Sequence, residues 1–85
     1  MLVKVEQKHI DNGARRSCRR CPIALALREQ TGTLWVVGSA FASEGEVKPA
    51  WKGVSKRIKT LPDAVIRFFY EFDRNRPVKP LEFEL

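Results

Sequence analysis

The chain has 85 residues, 44% hydrophobic and 31% charged, enough for one domain with a single core and too few for a cofactor fold with a separate substrate domain. Its net charge of +6 is uneven: residues 1–60 hold 12 Lys and Arg against 5 Asp and Glu, whereas residues 61–85 hold 4 against 5. No apolar run approaches the roughly 18 residues that span a bilayer, and Met1-Leu2-Val3-Lys4 has no signal-peptide core behind it, so a cytoplasmic protein with no membrane partner is expected.

Residues 2–6 alternate, with Val3 and Val5 on one face and Lys4 and Glu6 on the other, as a half-buried strand does. From Gln7 to Arg20 the chain is polar, with Gly13 inside it and Ile10 as its one large apolar group. This predicts a short helical turn followed by a loop. Pro22 suits a first helical position and Gly32 the residue beyond a C-terminus, which predicts a largely buried helix over residues 22–31.

Thr33 to Gly38 is rich in β-branched and aromatic residues and reads as a second strand, with a turn expected at Ser43-Glu44-Gly45. Residues 47–60 fit two patterns. Val54, Lys56, Ile58 and Thr60 share a face if the segment is a strand, the reading preferred here, while Trp51, Val54 and Ile58 have helical spacing.

Leu61, Val65, Phe68, Phe69 and Phe72 form a broad helical stripe. Its start is marked by Pro62 and a Thr60-x-x-Asp63 capping pattern, its outer face offers Asp63–Arg67 and Arg67–Glu71 pairs, and it ends near Asn75. After Pro80, the alternation of Leu81, Phe83 and Leu85 with Glu82 and Glu84 predicts a final strand with a solvated acidic face. The expected fold is a single α+β domain over residues 1–85. Its order is β-α-β-β-α-β, with an antiparallel or mixed sheet packed on two helices, an order that matches a ferredoxin-like arrangement.

The segments His9-Ile10-x-x-Gly13, Cys18-x-x-Cys21-Pro22-Ile23-Ala24-x-Ala26-Leu27, and Leu61-Pro62 through Phe68, Phe72-Asp73, Pro77-Val78-x-Pro80 and Phe83 resemble small uncharacterised proteins of bacteria and their phages. The resemblance covers both ends of the chain and leaves about residues 39–56 without a counterpart. It implies a compact α+β domain, admits a phage origin, and raises inhibition of a host protein as an alternative function. It assigns no functional residue.

Arg15, Arg16, Arg19 and Arg20 surround Cys18 and Cys21 just before the predicted helix at Pro22. A helix N-terminus with unpaired N–H groups attracts anions, and four guanidiniums strengthen that pull. A second cluster, Lys48, Lys52, Lys56, Arg57 and Lys59, surrounds Trp51, so a base could stack on the indole while the cations hold phosphates. The opposing interpretation makes Trp51 a core cap and the lysines a solvated face.

Cys18, Cys21 and His9 are three of the four ligands a tetrahedral zinc requires, with Asp11 or a second chain left to supply the fourth. Reduced thiols packed at a helix start are the simpler reading. A thiolate at Cys18 would be favoured by helix and arginines, but the polar stretch before it lacks the buried strand of a thioredoxin-like site.

No nucleophile elbow, phosphate loop or metal-binding His pair is present, and His9 has no recognisable acid partner in sequence, so no enzyme is expected. The first strand lacks the surface aromatics of an RRM sheet. The leading expectation is a small basic module that binds nucleic acid through phosphate contacts. An inhibitor docking on an acidic host protein is the alternative, and a zinc-stabilised module the third.

Overall fold

The computed structural model describes residues 1–45 and 57–85, with eight elements in the order β1 (Leu2–Val5), α1 (Gln7–Asn12), α2 (Pro22–Thr31), β2 (Trp35–Val37), β3 (Phe41–Glu44), β4 (Arg57–Thr60), α3 (Asp63–Asp73) and β5 (Leu81–Glu84). The α+β class holds. The helical turn expected after Gln7 is the helix Gln7–Asn12, and the expected order of four strands and two longer helices gains a strand at Phe41–Glu44.

The strands form two antiparallel sheets, β1–β5 and β2–β3–β4, so the described residues do not make the single sheet of a ferredoxin-like fold. Val3 lies opposite Phe83 in the terminal pair, and all of Val3, Val5 and Phe83 are buried. In the second sheet, Gly38 N–H donates to the Phe41 carbonyl at 2.7 Å and closes a two-residue hairpin over Ser39 and Ala40. The turn expected at Ser43-Glu44-Gly45 is thus displaced, and Ser43 and Glu44 pair with Val36 and Trp35.

The displacement has a physical reason: β3 reverses the usual pattern. Its large apolar residue, Phe41, faces solvent at 54% exposure, while Ala42 and the Glu44 carboxyl face inward. Alternation at Ala42 and Glu44 carries little hydrophobic signal. The strand reading of residues 47–60 holds for Arg57–Thr60, with Ile58 exposed and Lys59 half-buried opposite Ala42.

Pro22 begins α2, and Gly32 ends it at φ 74°, where its N–H donates to the Arg28 carbonyl at 2.8 Å. A left-handed closing residue favours glycine because a Cβ is strained there. On α3, Val65, Phe68 and Phe72 are buried, and the Phe68 and Phe72 rings stack with centroids 6.3 Å apart. The capping pattern expected from Thr60 does not form: Thr60 belongs to β4 and Pro62 is the cap residue. Glu71, expected to pair with Arg67, instead meets Arg76 at 3.2 Å.

Helices α1 and α2 meet where Gly13 faces Pro22. A Cβ at Gly13 would lie 2.7 Å from Pro22 Cγ and Cδ and 2.8 Å from the His9 carbonyl oxygen. Ring and backbone cannot yield cheaply at those distances, so Gly13 is required by space. Gly13→Ala should cost about 1–3 kcal/mol, as overpacking does. In a domain of this size that lowers the melting midpoint by roughly 4–8 °C per kcal/mol, measurable by thermal circular dichroism.

Candidate functional site

The arginine loop is held from three sides. Within it, Ala14 N–H donates to the Arg20 carbonyl at 2.8 Å and Cys21 N–H to the Ser17 carbonyl at 3.1 Å. Toward the second sheet, Val37 N–H donates to the Cys18 carbonyl at 2.7 Å. Toward α3, Arg16 N–H donates to Asp73 Oδ1 at 2.9 Å. Arg15, Arg16, Arg19 and Arg20 are all exposed on this braced loop.

The end of α3 approaches the same loop. Asn75 takes a left-handed conformation, φ 59°; its N–H donates to the Phe72 carbonyl and that of Arg76 to the Glu71 carbonyl, both at 3.0 Å. This is a Schellman closure with asparagine where glycine is commoner. It sets Arg74 and Arg76 at the negative end of the helix dipole. The Arg74 guanidinium lies 3.9 Å from the centre of the half-exposed Tyr70 ring.

Three adjoining clefts connect the two segments. One of about 370 Å³ is lined by Arg15, Arg16, Asp73, Arg74 and Asn75. It shares Arg15 and Asn75 with a cleft of about 420 Å³ that reaches Arg76 over an apolar floor including Ile10, Phe72 and Val78. It shares Arg16, Asp73 and Arg74 with a third, about 260 Å³, walled by Ile66, Phe69 and Tyr70. Arg74, Arg76 and Tyr70 have no signal in local sequence that ties them to the arginine loop. Their segment is acidic on balance, and only the fold gathers their charge with that of Arg15 and Arg16.

Of the second cluster, Lys48, Trp51, Lys52, Lys56 and the side chain of Arg57 lie outside the described residues. Lys59 on β4 is half-buried opposite Ala42 of β3, and it lines none of the three arginine clefts.

The candidate zinc ligands are not brought together. Among the described residues no three His, Cys, Asp or Glu side chains converge on a metal position. Cys18 is exposed and Cys21 buried, both as free thiols. Cys21 is the cap residue of α2, its Sγ accepting from Ala24 N–H at 3.4 Å. Burial pushes its thiol from the ordinary 9.0 up to about 11, the wrong direction for a metal-binding or nucleophilic thiolate.

His9 is also committed. Its Nδ1 accepts from Glu6 N–H at 2.9 Å, which assigns the proton to Nε2, and Nε2 lies 2.6 Å from Glu29 Oε2. The acid partner that local sequence failed to reveal is therefore Glu29 on α2, twenty residues away. Glu29 also binds Lys8 Nζ at 2.7 Å. Lys8, then His9, draws the Glu29 carboxyl below its ordinary value, and Glu29 raises that of Lys8. Compared with known proteins, the chain matches no family model, no curated protein and no solved structure.

The raised Cys21 thiol has a stability consequence. The unfolded chain releases this proton near pH 9 and the folded chain near 11, so above pH 9 the unfolded state binds fewer protons and stability falls as pH rises. Urea denaturation between pH 8 and 11 should show a loss beginning at about pH 9 that Cys21→Ser removes. Iodoacetamide at neutral pH should modify Cys18 and leave Cys21 untouched until the chain unfolds.

Proposed function

We propose that this chain is a small non-enzymatic module that binds nucleic acid through phosphate contacts of the arginine surface. One observation carries this reading: Arg15 and Arg16 from the loop and Arg74 and Arg76 from the end of α3 line one continuous set of clefts. The four arginines outnumber the two carboxylates, Asp11 and Asp73, that line the same clefts, and two of the lining residues, Arg16 and Asn75, sit at positive φ. Left-handed backbone at a non-glycine residue costs on the order of 1 kcal/mol or more. An anionic ligand neutralises the excess positive charge, and the fixed backbone reduces the ordering that binding must overcome.

The placements of the remaining reactive side chains favour a binding role over catalysis. Cys21 caps a helix, and His9 is occupied by the Glu6 amide and Glu29. The cleft beside His9 is lined by Lys8, Asn12, Leu25, Arg28 and Glu29, with no hydroxyl or thiol nucleophile.

Phosphate contacts fix orientation and carry little sequence information. Each one neutralised contributes about −0.9 to the slope of log affinity against log salt for duplex and about −0.7 for single strands, so four give roughly −3 to −4. Fluorescence anisotropy with labelled DNA and RNA across salt concentrations should return such a slope. Arg15→Ala with Arg16→Ala, or Arg74→Ala with Arg76→Ala, should each flatten it by roughly 1.5–2. A slope near zero, or one indifferent to both pairs, would contradict the reading. Capture of one acidic protein from nuclease-treated lysate, with no oligonucleotide binding at physiological salt, would replace it with the protein-partner alternative.

A further inference from the structure

The cleft between the arginine loop and α3 is chemically mixed in a way that a site for phosphate alone does not need. Its lining brings Arg16 and Arg74 together with the apolar and aromatic residues Ile66, Phe69 and Tyr70. Ile66 and Phe69 are half-buried on α3 and packed against the core, so this wall is an extension of the core to the surface. Tyr70 stands 49% exposed at its rim, with the Arg74 guanidinium 3.9 Å from the ring centre.

Asp73 belongs to the same cleft. A carboxylate facing a phosphate is repulsive, and Oδ1 already accepts from Arg16 N–H. Its remaining acceptor capacity suits N–H donors, and the ring and exocyclic amino groups of nucleobases provide them. The Ser39 hydroxyl at the edge of the cleft adds a group that can donate or accept. Apolar wall, aromatic rim, acceptor and flanking cations together match one nucleotide, base inward and phosphate outward.

We propose that this cleft of about 260 Å³ holds a single unpaired base, making the ligand a single strand of RNA or DNA. The inference rests on the phosphate-binding reading above and names its substrate class. In a duplex the bases are stacked and paired, so only phosphates reach the arginines and the wall of Ile66, Phe69 and Tyr70 stays uncovered. In a single strand, one base turns into the cleft against Tyr70 while its neighbours' phosphates lie along Arg15, Arg16 and Arg74. Base stacking on an aromatic side chain is sequence-tolerant, so the preference is for unpaired bases more than for a particular sequence.

The test compares four labelled probes of equal length at physiological salt: a single-stranded DNA, its RNA equivalent, the matched duplex, and a strand of abasic sites that keeps the phosphates. Each is titrated with the unmodified protein, Tyr70→Ala and Arg16→Ala. Tyr70 is exposed, so its variant should fold, which a thermal melt checks. The base-bearing strands should bind more tightly than the duplex or abasic strand. Tyr70→Ala should weaken them about 5- to 150-fold, the equivalent of losing one base stack, while leaving the abasic strand unchanged. Arg16→Ala should weaken all four. Equal binding of abasic and base-bearing strands, or a Tyr70→Ala effect of the same size on both, overturns the base cleft and leaves phosphate binding standing. Failure of every probe to bind overturns both.

Discussion

The burial of the first turn of α2 is the constraint on which the rest of this molecule depends. Cys21 and Ile23 are 0% exposed, Ala24 is 1% exposed, and Pro22 lies so close to Gly13 that no side chain fits between them. An N-terminus sunk this deeply needs its N–H groups satisfied inside the protein. Cys21 Sγ meets that of Ala24, and proline, which has no N–H, occupies the first position. The thiol that looks reactive in sequence is therefore a capping group in the fold.

Sinking that turn forces residues 14–20 back to the surface between two fixed points, and their bonds to Val37 and Asp73 brace the loop against the second sheet and α3. Asp73 connects stability to the site. Its carboxylate holds the left-handed Arg16 amide, offsets part of the arginine charge, and stands at the helix end where the Schellman closure delivers Arg74 and Arg76. The cationic surface thus belongs to the body of the domain. Binding to a surface braced in this way sacrifices less conformational entropy than ordering a flexible basic tail.

Much of the scaffold is legible in the chain because its signals are local. The Pro22 and Gly32 boundaries, the Val65–Phe72 stripe, and the Val3, Val5 and Phe83 alternations each express burial within one element. Failures occur where burial and polarity part company. Phe41 and Ile58 face out while Glu44 faces in, which hides β3 and shifts the expected turn. Half of the site is legible for the same reason: Arg15, Arg16, Arg19 and Arg20 are neighbours in sequence. Arg74, Arg76 and Tyr70 join them only through tertiary packing, and the Glu29 partner of His9 is likewise supplied by the meeting of two helices.

The most direct measurement is a two-dimensional amide NMR spectrum recorded during titration with a short single-stranded oligonucleotide. If the braced loop and the end of α3 together form the interface, shifts should concentrate in residues 14–20 and 66–76, including the Arg16 amide bonded to Asp73. The β1–β5 pair should remain still. Shifts centred elsewhere, with both segments unmoved at saturation, would contradict the assignment of this surface as the binding site.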